Sequence, residues 1–207
     1  MISLSTYPYD AMGTTSNYGP FLADIIMSED KNDDKKDKNG QNESGKKMGM
    51  EVISCAGSQD KLDRLKEMGS DHVLNYNEVD FRKEVNGMYG KPHRRTYEGG
   101  VDVVVNFTGG DTWVNSFKCM KRGGRLLTCG ATAGFDPKTD IRYIWTFELK
   151  ICGSNSWTKE DLTKLMGYIQ DGSMEPTIET ILPLEQGAEG IRMIEDREVF
   201  GKIIIEP

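Results

Sequence analysis

The chain of 207 residues lacks the sequence features of nucleic-acid-binding, membrane and secreted proteins. Its net charge is −7, whereas nucleic acids and anionic membranes require basic protein surfaces, so we expect neither as a partner. No run of about twenty apolar residues occurs, so no membrane span is predicted. The opening MISLSTYPYD has neither a basic start nor an apolar core, so we predict no secretory signal and expect a cytoplasmic protein.

Clustered metal ligands are also missing. Neither His72 nor His93 has a second ligand at the spacing typical of zinc sites, and the four cysteines contain no Cys-x-x-Cys pair: Cys55, Cys119, Cys129 and Cys152. We therefore expect no zinc or other metal in this chain. Three of the cysteines lie in apolar runs, which is typical of buried, reduced thiols in a cytosolic protein.

The glycine turn of dinucleotide-binding proteins, Gly-x-Gly-x-x-Gly, occurs nowhere in the sequence. A second phosphate motif, the P-loop, is nearly matched by GQNESGKK at 40–47. However, Lys47 replaces the hydroxyl residue that would bind magnesium, and no apolar strand leads into Gly40. We interpret this match as chance within a lysine-rich segment.

The composition changes sharply near residue 50. Residues 1–27 form an irregular segment with a possible strand at 21–27, FLADIIM. Residues 28–49 are predicted to be a charged, flexible linker, because Ser28 to Lys47 contain six acidic and six basic residues and no apolar one. Such a segment cannot bury enough surface to offset its ordering entropy.

Residues 50–207 alternate between strand and helix patterns. The predicted strands are MEVISC, DHVLNY, VDVVVNF, RLLTCG, LKICGS and GKIIIE, with TIETILPL extended. Helical patterns separate them, including SQDKLDRLKEMG, the start of EVDFRKEVNGMYG, and DTWVNSFKCMKRGG, which is expected to end at its paired glycines. Short connections and this alternation predict an α/β, Rossmann-like, doubly wound parallel sheet.

Small residues recur where the predicted strands end. Ligands of open α/β sheets bind beyond the carboxyl ends of the strands, so these residues are candidates for a nucleotide site. Glycine after a strand is also ordinary turn chemistry, which is the alternative interpretation. The candidates are Gly57, Ser58, Thr108, Gly109, Gly130, Ala131, Ser154 and Asn155.

The stretch CAGSQDK at 55–61 favours NADP over NAD. An acidic residue at the end of the second Rossmann strand selects NAD. The corresponding position here is near Ala56, and no carboxylate follows until Asp60. A 2′-phosphate is instead expected to bind the Ser58 hydroxyl, the helix N-terminus and Lys61, with Tyr76 covering the adenine or touching that phosphate. Alternatively, Ser58 is a helix cap and Lys61 a surface lysine.

Three segments together resemble the C-terminal half of medium-chain dehydrogenase/reductases. They begin VISCAGSQDKLDRLKEMG, GVDVVVNFTGGDTW and LPLEQGAEGIRMIEDREVFGKIII, and the resemblance covers 50–207 apart from an insertion around KPHRRTYE. The closest branch is the zinc-type alcohol dehydrogenases and quinone oxidoreductases. Residues 178–207 resemble the part of these enzymes that returns to the catalytic domain.

The resemblance implies a role for each candidate. Ser58 and Lys61 would meet the 2′-phosphate, and Tyr76 would lie by the adenine. Thr108 and Gly109 would line the cofactor groove, and Lys202 would reach the cofactor phosphates. Backbone around four further residues would hold the nicotinamide carboxamide: Gly130, Ala131, Ser154 and Asn155. The edge strand at 149–154 would form a homodimer.

Three parts of that family are missing from the sequence: the glycine turn, the first strand of the sheet, and the barrel that carries zinc ligands and most of the substrate pocket. Residues 21–27 either replace the first strand or leave a gap. No catalytic residue can be named, although Asn155 and Tyr168 are polar candidates. The hypotheses are an NADP-dependent oxidoreductase performing hydride transfer, a non-catalytic nucleotide-binding or dimerisation module, and a truncated product without activity.

Overall fold

A computed structural model describes residues 2–4, 24–29, 50–155, 158–172 and 174–207. These residues form two sheets and their covering helices. One sheet has six strands and the other has three. The six-stranded sheet positions the candidate site.

The elements follow one another along the chain mostly as strand–helix units. The strands are β1 (Ile2–Leu4), β2 (Asp24–Glu29), β3 (Met50–Ala56), β4 (His72–Asn75), β5 (Val101–Val105), β6 (Met120–Thr128), β7 (Lys150–Gly153), β8 (Ile178–Pro183) and β9 (Lys202–Glu206). The helices are α1 (Gln59–Glu67), α2 (Phe81–Tyr89), α3 (Gly110–Cys119), α4 (Ile141–Thr146), α5 (Lys159–Gln170) and α6 (Gly187–Glu195).

The six-stranded sheet has the order β4-β3-β2-β5-β6-β7. This is the Rossmann order 3-2-1-4-5-6 with β2 in the central position of the first strand. The pairs β3–β4, β5–β6 and β6–β7 are parallel. The predicted α/β class with a Rossmann-type sheet is therefore confirmed.

The centre of the sheet holds a replacement strand. The sequence left open whether residues 21–27 replace the first strand or leave a gap, and β2 occupies that position and pairs with both neighbours in the antiparallel sense. Ile26 pairs with Ile53 on one side and with Val104 on the other. The strand satisfies backbone groups of β3 and β5 that would otherwise face a gap, and antiparallel pairing does this as well as parallel pairing. It also extends to Glu29, into the segment predicted as linker.

Helix α3 is shorter than expected. It ends at Cys119, and Met120 already begins β6, so the prediction of a helix running to the paired glycines is wrong. Lys121, in the segment assigned to the helix, forms an ion pair with Asp102 of the neighbouring strand. Gly124 lies so close to that strand that a Cβ there would be 3.2 Å from the Asp102 carbonyl oxygen. The strand pairing therefore starts before the glycines.

The core lies on both faces of the six-stranded sheet. On one face α2 and α3 cover a cluster that includes the fully buried Ile53, Val104 and Leu126. On the other face α1 places Leu62 and Leu65 near Ala56. Alternate residues of β3 thus enter different clusters, as expected for a strand that is covered on both faces.

The second sheet has the order β1-β9-β8 and contains the C-terminal strand at its centre. β9 is parallel to β8 and antiparallel to β1. Val199, Ile203 and Ile205 are buried in its core, with Met193 and Ile194 of α6 packed against them. The last two strands therefore do not extend the Rossmann-type sheet.

None of the four cysteines, all of which lie in the described ranges, forms a disulfide, and they differ in burial. Cys55 and Cys119 are buried, Cys129 is partly buried, and Cys152 is exposed on β7. Burial raises the pKa of the Cys119 thiol to about 12. The expectation of three buried thiols is therefore corrected to two, because β7 lies at the edge of the sheet.

The central position of β2 predicts that a proline within it will be costly. We expect Ile26→Pro to lower the free energy of unfolding by about 3 kcal/mol or more, because proline removes a backbone donor from a strand paired on both sides. Ile26→Val keeps the donor and should cost at most about 1.5 kcal/mol. Urea unfolding followed by circular dichroism measures both, and equal stabilities would contradict the described pairing.

Candidate functional site

The carboxyl edge of β3 carries the first part of the site. The strand ends at Ala56, Gly57 and Ser58 follow, and α1 begins at Gln59. A Cβ on Gly57 would lie 2.6 Å from the Tyr76 hydroxyl, so only glycine allows the tyrosine this close. Asn77 Nδ2 donates to the Gly57 carbonyl at 2.8 Å. The structure thus brings Gly57, Ser58 and Tyr76 together.

Ser58 is the N-cap residue of α1. It has an extended backbone (φ −141°), it is exposed, and its side chain makes no capping hydrogen bond in the described structure. A serine at this position usually accepts a hydrogen bond from the helix. The first turn of α1 therefore presents backbone donors and the positive end of the helix dipole without a side-chain cap.

Lys61 lies in the first turn of α1 and is partly buried. Its Nζ donates to the carbonyl oxygen of Arg197 at 3.1 Å, so one of its three N–H groups is engaged. Desolvation, followed by repulsion from the Arg197 guanidinium, lowers the pKa of this lysine. The carboxylates of Glu179 and Asp60 act in the opposite direction, and the effect of each on the pKa is smaller than that of Arg197.

Arg197 was missed by the sequence reasoning. It follows α6 in a left-handed conformation (φ 61°), and within the described residues its side chain forms no ion pair. Its guanidinium repels the Lys61 ammonium, whereas the carboxylates of Glu179 and Asp60 attract it. Only the tertiary fold joins these residues, so no local motif pointed to Arg197.

The loops after β5 and β6 are joined by backbone hydrogen bonds. The N–H of Ala133 donates to the Thr108 carbonyl at 2.8 Å, and the N–H of Gly110 donates to the Gly134 carbonyl at 2.9 Å. Gly109 has φ 67°, and a Cβ there would lie 2.4 Å from the Gly134 oxygen and 3.1 Å from the Ala131 Cβ. Thr108, Gly109 and Ala131 are thus brought together.

Asn106 organises the start of α3 and was also missed. It is fully buried, and its Oδ1 accepts hydrogen bonds from the backbone N–H groups of Thr108 at 3.1 Å and Gly109 at 2.8 Å. Its Nδ2 donates to Thr112 Oγ1 and Ser116 Oγ. The signal was a polar residue ending the apolar run VDVVV, which a buried strand tolerates only when its polar atoms are satisfied.

The remaining predicted residues lie further along the same edge or outside it. Thr128 Oγ1 donates to the Gly130 carbonyl, and the Ser154 N–H donates to the Thr128 carbonyl at 2.9 Å. Asn155 is exposed after β7. Tyr168 is exposed on α5, and Lys202 begins β9 in the three-stranded sheet.

One cavity of about 290 Å³ lies away from these residues, at the C-terminal end of α1. None of the predicted site residues lines it, and it plays no part in the candidate nucleotide site. Its walls are Arg64, Glu67, Met68, Glu175, Pro176, Thr177, Ile178 and Phe200.

Comparison with known proteins identifies the family. A family model described as zinc-binding dehydrogenase matches residues 44–171. The chain belongs to the zinc-binding dehydrogenase family. It fits the C-terminal half of a medium-chain dehydrogenase/reductase, and such enzymes depend on NAD(P).

Relatives of this zinc-binding dehydrogenase chain include reductases and alcohol dehydrogenases. It is 28% identical to an acryloyl-coenzyme A reductase of Sulfurisphaera tokodaii, over 78% of this chain and 45% of that one. It is 24% identical to a quinone oxidoreductase of Sus scrofa, over 76% and 47%. The crystal structure of an NAD-dependent alcohol dehydrogenase superposes with a TM-score of 0.65 at 34% identity, over 75% and 43%. The chain therefore spans less than half the length of these relatives.

The family name implies zinc, but the described residues do not fit a zinc site. No group of three or more His, Cys, Asp or Glu side chains in the described ranges is placed to hold a metal ion. Structural zinc sites need four such ligands and catalytic ones three. Likewise, no described helix is long and apolar enough to cross a membrane.

The fit to a dinucleotide is partial. The start of α1 offers an uncapped helix end and two cations, which suit a phosphate on the adenosine ribose. The start of α3, by contrast, already donates its N–H groups to Asn106 and Gly134. The described residues of this chain therefore fit the adenosine end better than the pyrophosphate.

The contact between the loops after β5 and β6 predicts that replacing Gly109 will destabilise the protein. We expect Gly109→Ala to cost roughly 1–3 kcal/mol of unfolding free energy, because its backbone conformation suits only glycine and the Cβ would meet backbone atoms. Gly87→Ala, on α2 with open space around it, should instead stabilise by roughly 0.5–1 kcal/mol. Chemical unfolding of both variants tests this, and a neutral Gly109→Ala would contradict the described contact.

Proposed function

We propose that this chain is the nucleotide-binding portion of an NADP-linked oxidoreductase of the zinc-binding dehydrogenase family. The observation that carries the proposal is the start of α1, where Ser58 makes no capping hydrogen bond and Lys61 donates to the Arg197 carbonyl, with the Arg197 guanidinium close enough to repel the lysine. A ribose 2′-phosphate there would neutralise both charges and accept hydrogen bonds from backbone and side chains.

The charges around the start of α1 support NADP over NAD as the cofactor. The strand end Ala56-Gly57-Ser58 has no carboxylate, which is the group that selects NAD by accepting hydrogen bonds from the ribose. The carboxylates of Glu179 and Asp60 both act on Lys61, and the coulombic effect of each is smaller than that of Arg197. One structural relative is an NAD-dependent alcohol dehydrogenase, so the preference for NADP is proposed for this chain alone.

Turnover is not assigned to any described residue. The curated relatives that are named reductases or alcohol dehydrogenases are more than twice as long as the matched region. We propose that hydride transfer to a carbonyl, an enoyl thioester or a quinone needs parts of the catalytic protein that the present 207 residues do not include. Within this chain the proposed task is to bind the cofactor.

The proposal predicts a charge-dependent preference for NADPH. Lys61→Gln keeps a donor for the Arg197 carbonyl but removes the positive charge. We expect it to weaken NADPH binding roughly tenfold, the effect of losing one charge-assisted hydrogen bond, and to leave NADH binding unchanged. Isothermal titration calorimetry measures both dissociation constants.

A matched control lies on the same helix. Lys66 is exposed in the last turn of α1, so Lys66→Gln makes the same chemical change away from the proposed site. NADPH affinity should be unaltered in this control. If Lys61→Gln also leaves NADPH affinity unaltered, the assignment of the 2′-phosphate to this corner fails.

A second candidate function, a non-catalytic dimerisation module, is favoured by the edge of the sheet. All four residues of β7 are exposed, and its outer side has no neighbouring strand among the described ones. Helix α5, the next described helix, has no buried residue, and its Leu162, Leu165 and Met166 are 40–44% exposed. Exposed edges and apolar helix faces of this kind are usually covered, and we propose that a second copy covers them.

The edge proposal predicts a dimer that one added charge disrupts. Ile151→Lys places a lysine in the middle of β7, where two copies would bring like charges together. We expect the wild-type chain to sediment as a dimer and this variant as a monomer. Ile141→Lys, at an equally apolar and more exposed position on α4, should stay dimeric. A monomeric wild-type chain in analytical ultracentrifugation would remove the proposal.

A further inference from the structure

We infer that the described crevice residues of this chain offer no site for the pyrophosphate of a dinucleotide, so that the phosphorylated adenosine end alone sets its affinity for NADP(H). The inference rests on the proposed function, because it concerns the same corner at the start of α1.

A Rossmann strand in the central position normally ends at the crevice. There it turns through glycines into a helix whose N–H groups hold the pyrophosphate. β2 runs the other way: Asp24 pairs with Cys55 near the crevice edge, and Glu29 pairs with Met50 at the opposite edge. The chain therefore leaves β2 away from the crevice, and no helix in the described ranges begins from this strand at the crevice.

The chain that follows β2 does not return a phosphate loop to the crevice through any described residue. Glu29 and Met50 flank the segment 30–49 and are paired with each other at the far edge of the sheet. The P-loop-like GQNESGKK at 40–47 belongs to that segment and lies outside the described residues. No Gly-x-Gly-x-x-Gly occurs elsewhere in the sequence.

The helix on the other side of the central position offers no substitute. Asn106 Oδ1 accepts from the N–H groups of Thr108 and Gly109, and the next N–H, of Gly110, donates to the Gly134 carbonyl at 2.9 Å. A pyrophosphate at α3 would have to break these buried bonds before gaining its own. Replacing satisfied buried hydrogen bonds brings little net gain.

The start of α1 is the remaining anion site among the described crevice residues. Ser58 does not cap the helix with its side chain, and Lys61 and Arg197 supply positive charge. These groups are placed beside the end of β3, where a Rossmann sheet holds the adenosine ribose and not the pyrophosphate. The affinity is thus expected to come from a phosphate monoester on the ribose of adenosine.

The direct consequence is that removing the nicotinamide and the pyrophosphate from the cofactor should change the dissociation constant little. Adenosine 2′-monophosphate, adenosine 2′,5′-bisphosphate and NADPH share the phosphorylated ribose and differ in the 5′-phosphate, the second phosphate and the nicotinamide. We expect their dissociation constants to agree within about threefold, whereas a complete dinucleotide site would favour NADPH strongly. The nicotinamide should also keep the fluorescence that it has in water, because nothing holds it.

Calorimetric titration of the 207-residue chain with these three ligands at one ionic strength tests the inference, together with NADPH fluorescence at saturation. Similar affinities and unchanged fluorescence support it. NADPH binding about tenfold or more tightly than adenosine 2′-monophosphate, with enhanced fluorescence, overturns it. The proposed function would survive that result, because all three ligands carry the 2′-phosphate.

A separate outcome tests the proposed function, on which this inference rests. If none of the three ligands binds a chain that is folded by circular dichroism, the proposed function fails, and this inference is withdrawn with it. Adenosine 5′-monophosphate serves as the matched control, since it has the same charge at a different ribose position. Equal binding of the 5′- and 2′-monophosphates would overturn the assignment of the ribose phosphate to Lys61 and Arg197.

Discussion

The pairing of β2 between β3 and β5 is the interaction on which the rest of the structure depends. Without it, two strands in the middle of the six-stranded sheet would present unpaired backbone groups to a gap, which is costly in a buried setting. With it, the sheet is continuous and α1 and α3 begin at the same edge. The geometry of the candidate site therefore depends on a strand that contributes no described side chain to it.

Local pattern was sufficient for most of the fold from residue 50 onward. The apolar run VDVVV became β5, and the stripe of Leu62 and Leu65 became the buried side of α1, because each follows the period of its own element. The alternation with helices predicted parallel pairing, which the structure shows for β3–β4, β5–β6 and β6–β7. The family resemblance, carried by the same segments, is confirmed by the match to zinc-binding dehydrogenases.

Features that depend on distant parts of the chain could not be predicted in this way. The direction of β2 relative to its neighbours is set by tertiary pairing. Its six residues, DIIMSE, are compatible with either direction. The contact between Lys61 and Arg197 joins two elements that only the tertiary fold brings together. The end of α3 at Cys119 depends on the pairing of β6, which overrides the helical tendency of the following residues.

Helix α1 contacts the C-terminal part of the chain through two residues one turn apart, Lys61 and Arg64, which together make three contacts. Lys61 donates to the Arg197 carbonyl, and Arg64 forms an ion pair with Glu179 at 2.6 Å and lies over the Phe200 ring at 4.3 Å. The ion pair is partly exposed, so each contact is modest by itself. Together they fix the proposed phosphate corner against the C-terminal segment, which explains how a residue as late as Arg197 takes part in it.

The sheet order also has a consequence for how the chain reaches its native state. Ile25 of β2 pairs with Val105, which lies beyond two complete strand–helix units, so β2 is synthesised well before β5 and cannot complete its pairing until β5 is made. Pairings of such long range close slowly and leave an intermediate with unpaired strand edges. Nascent chains of this protein are therefore expected to need protection by chaperones until β5 has emerged from the ribosome.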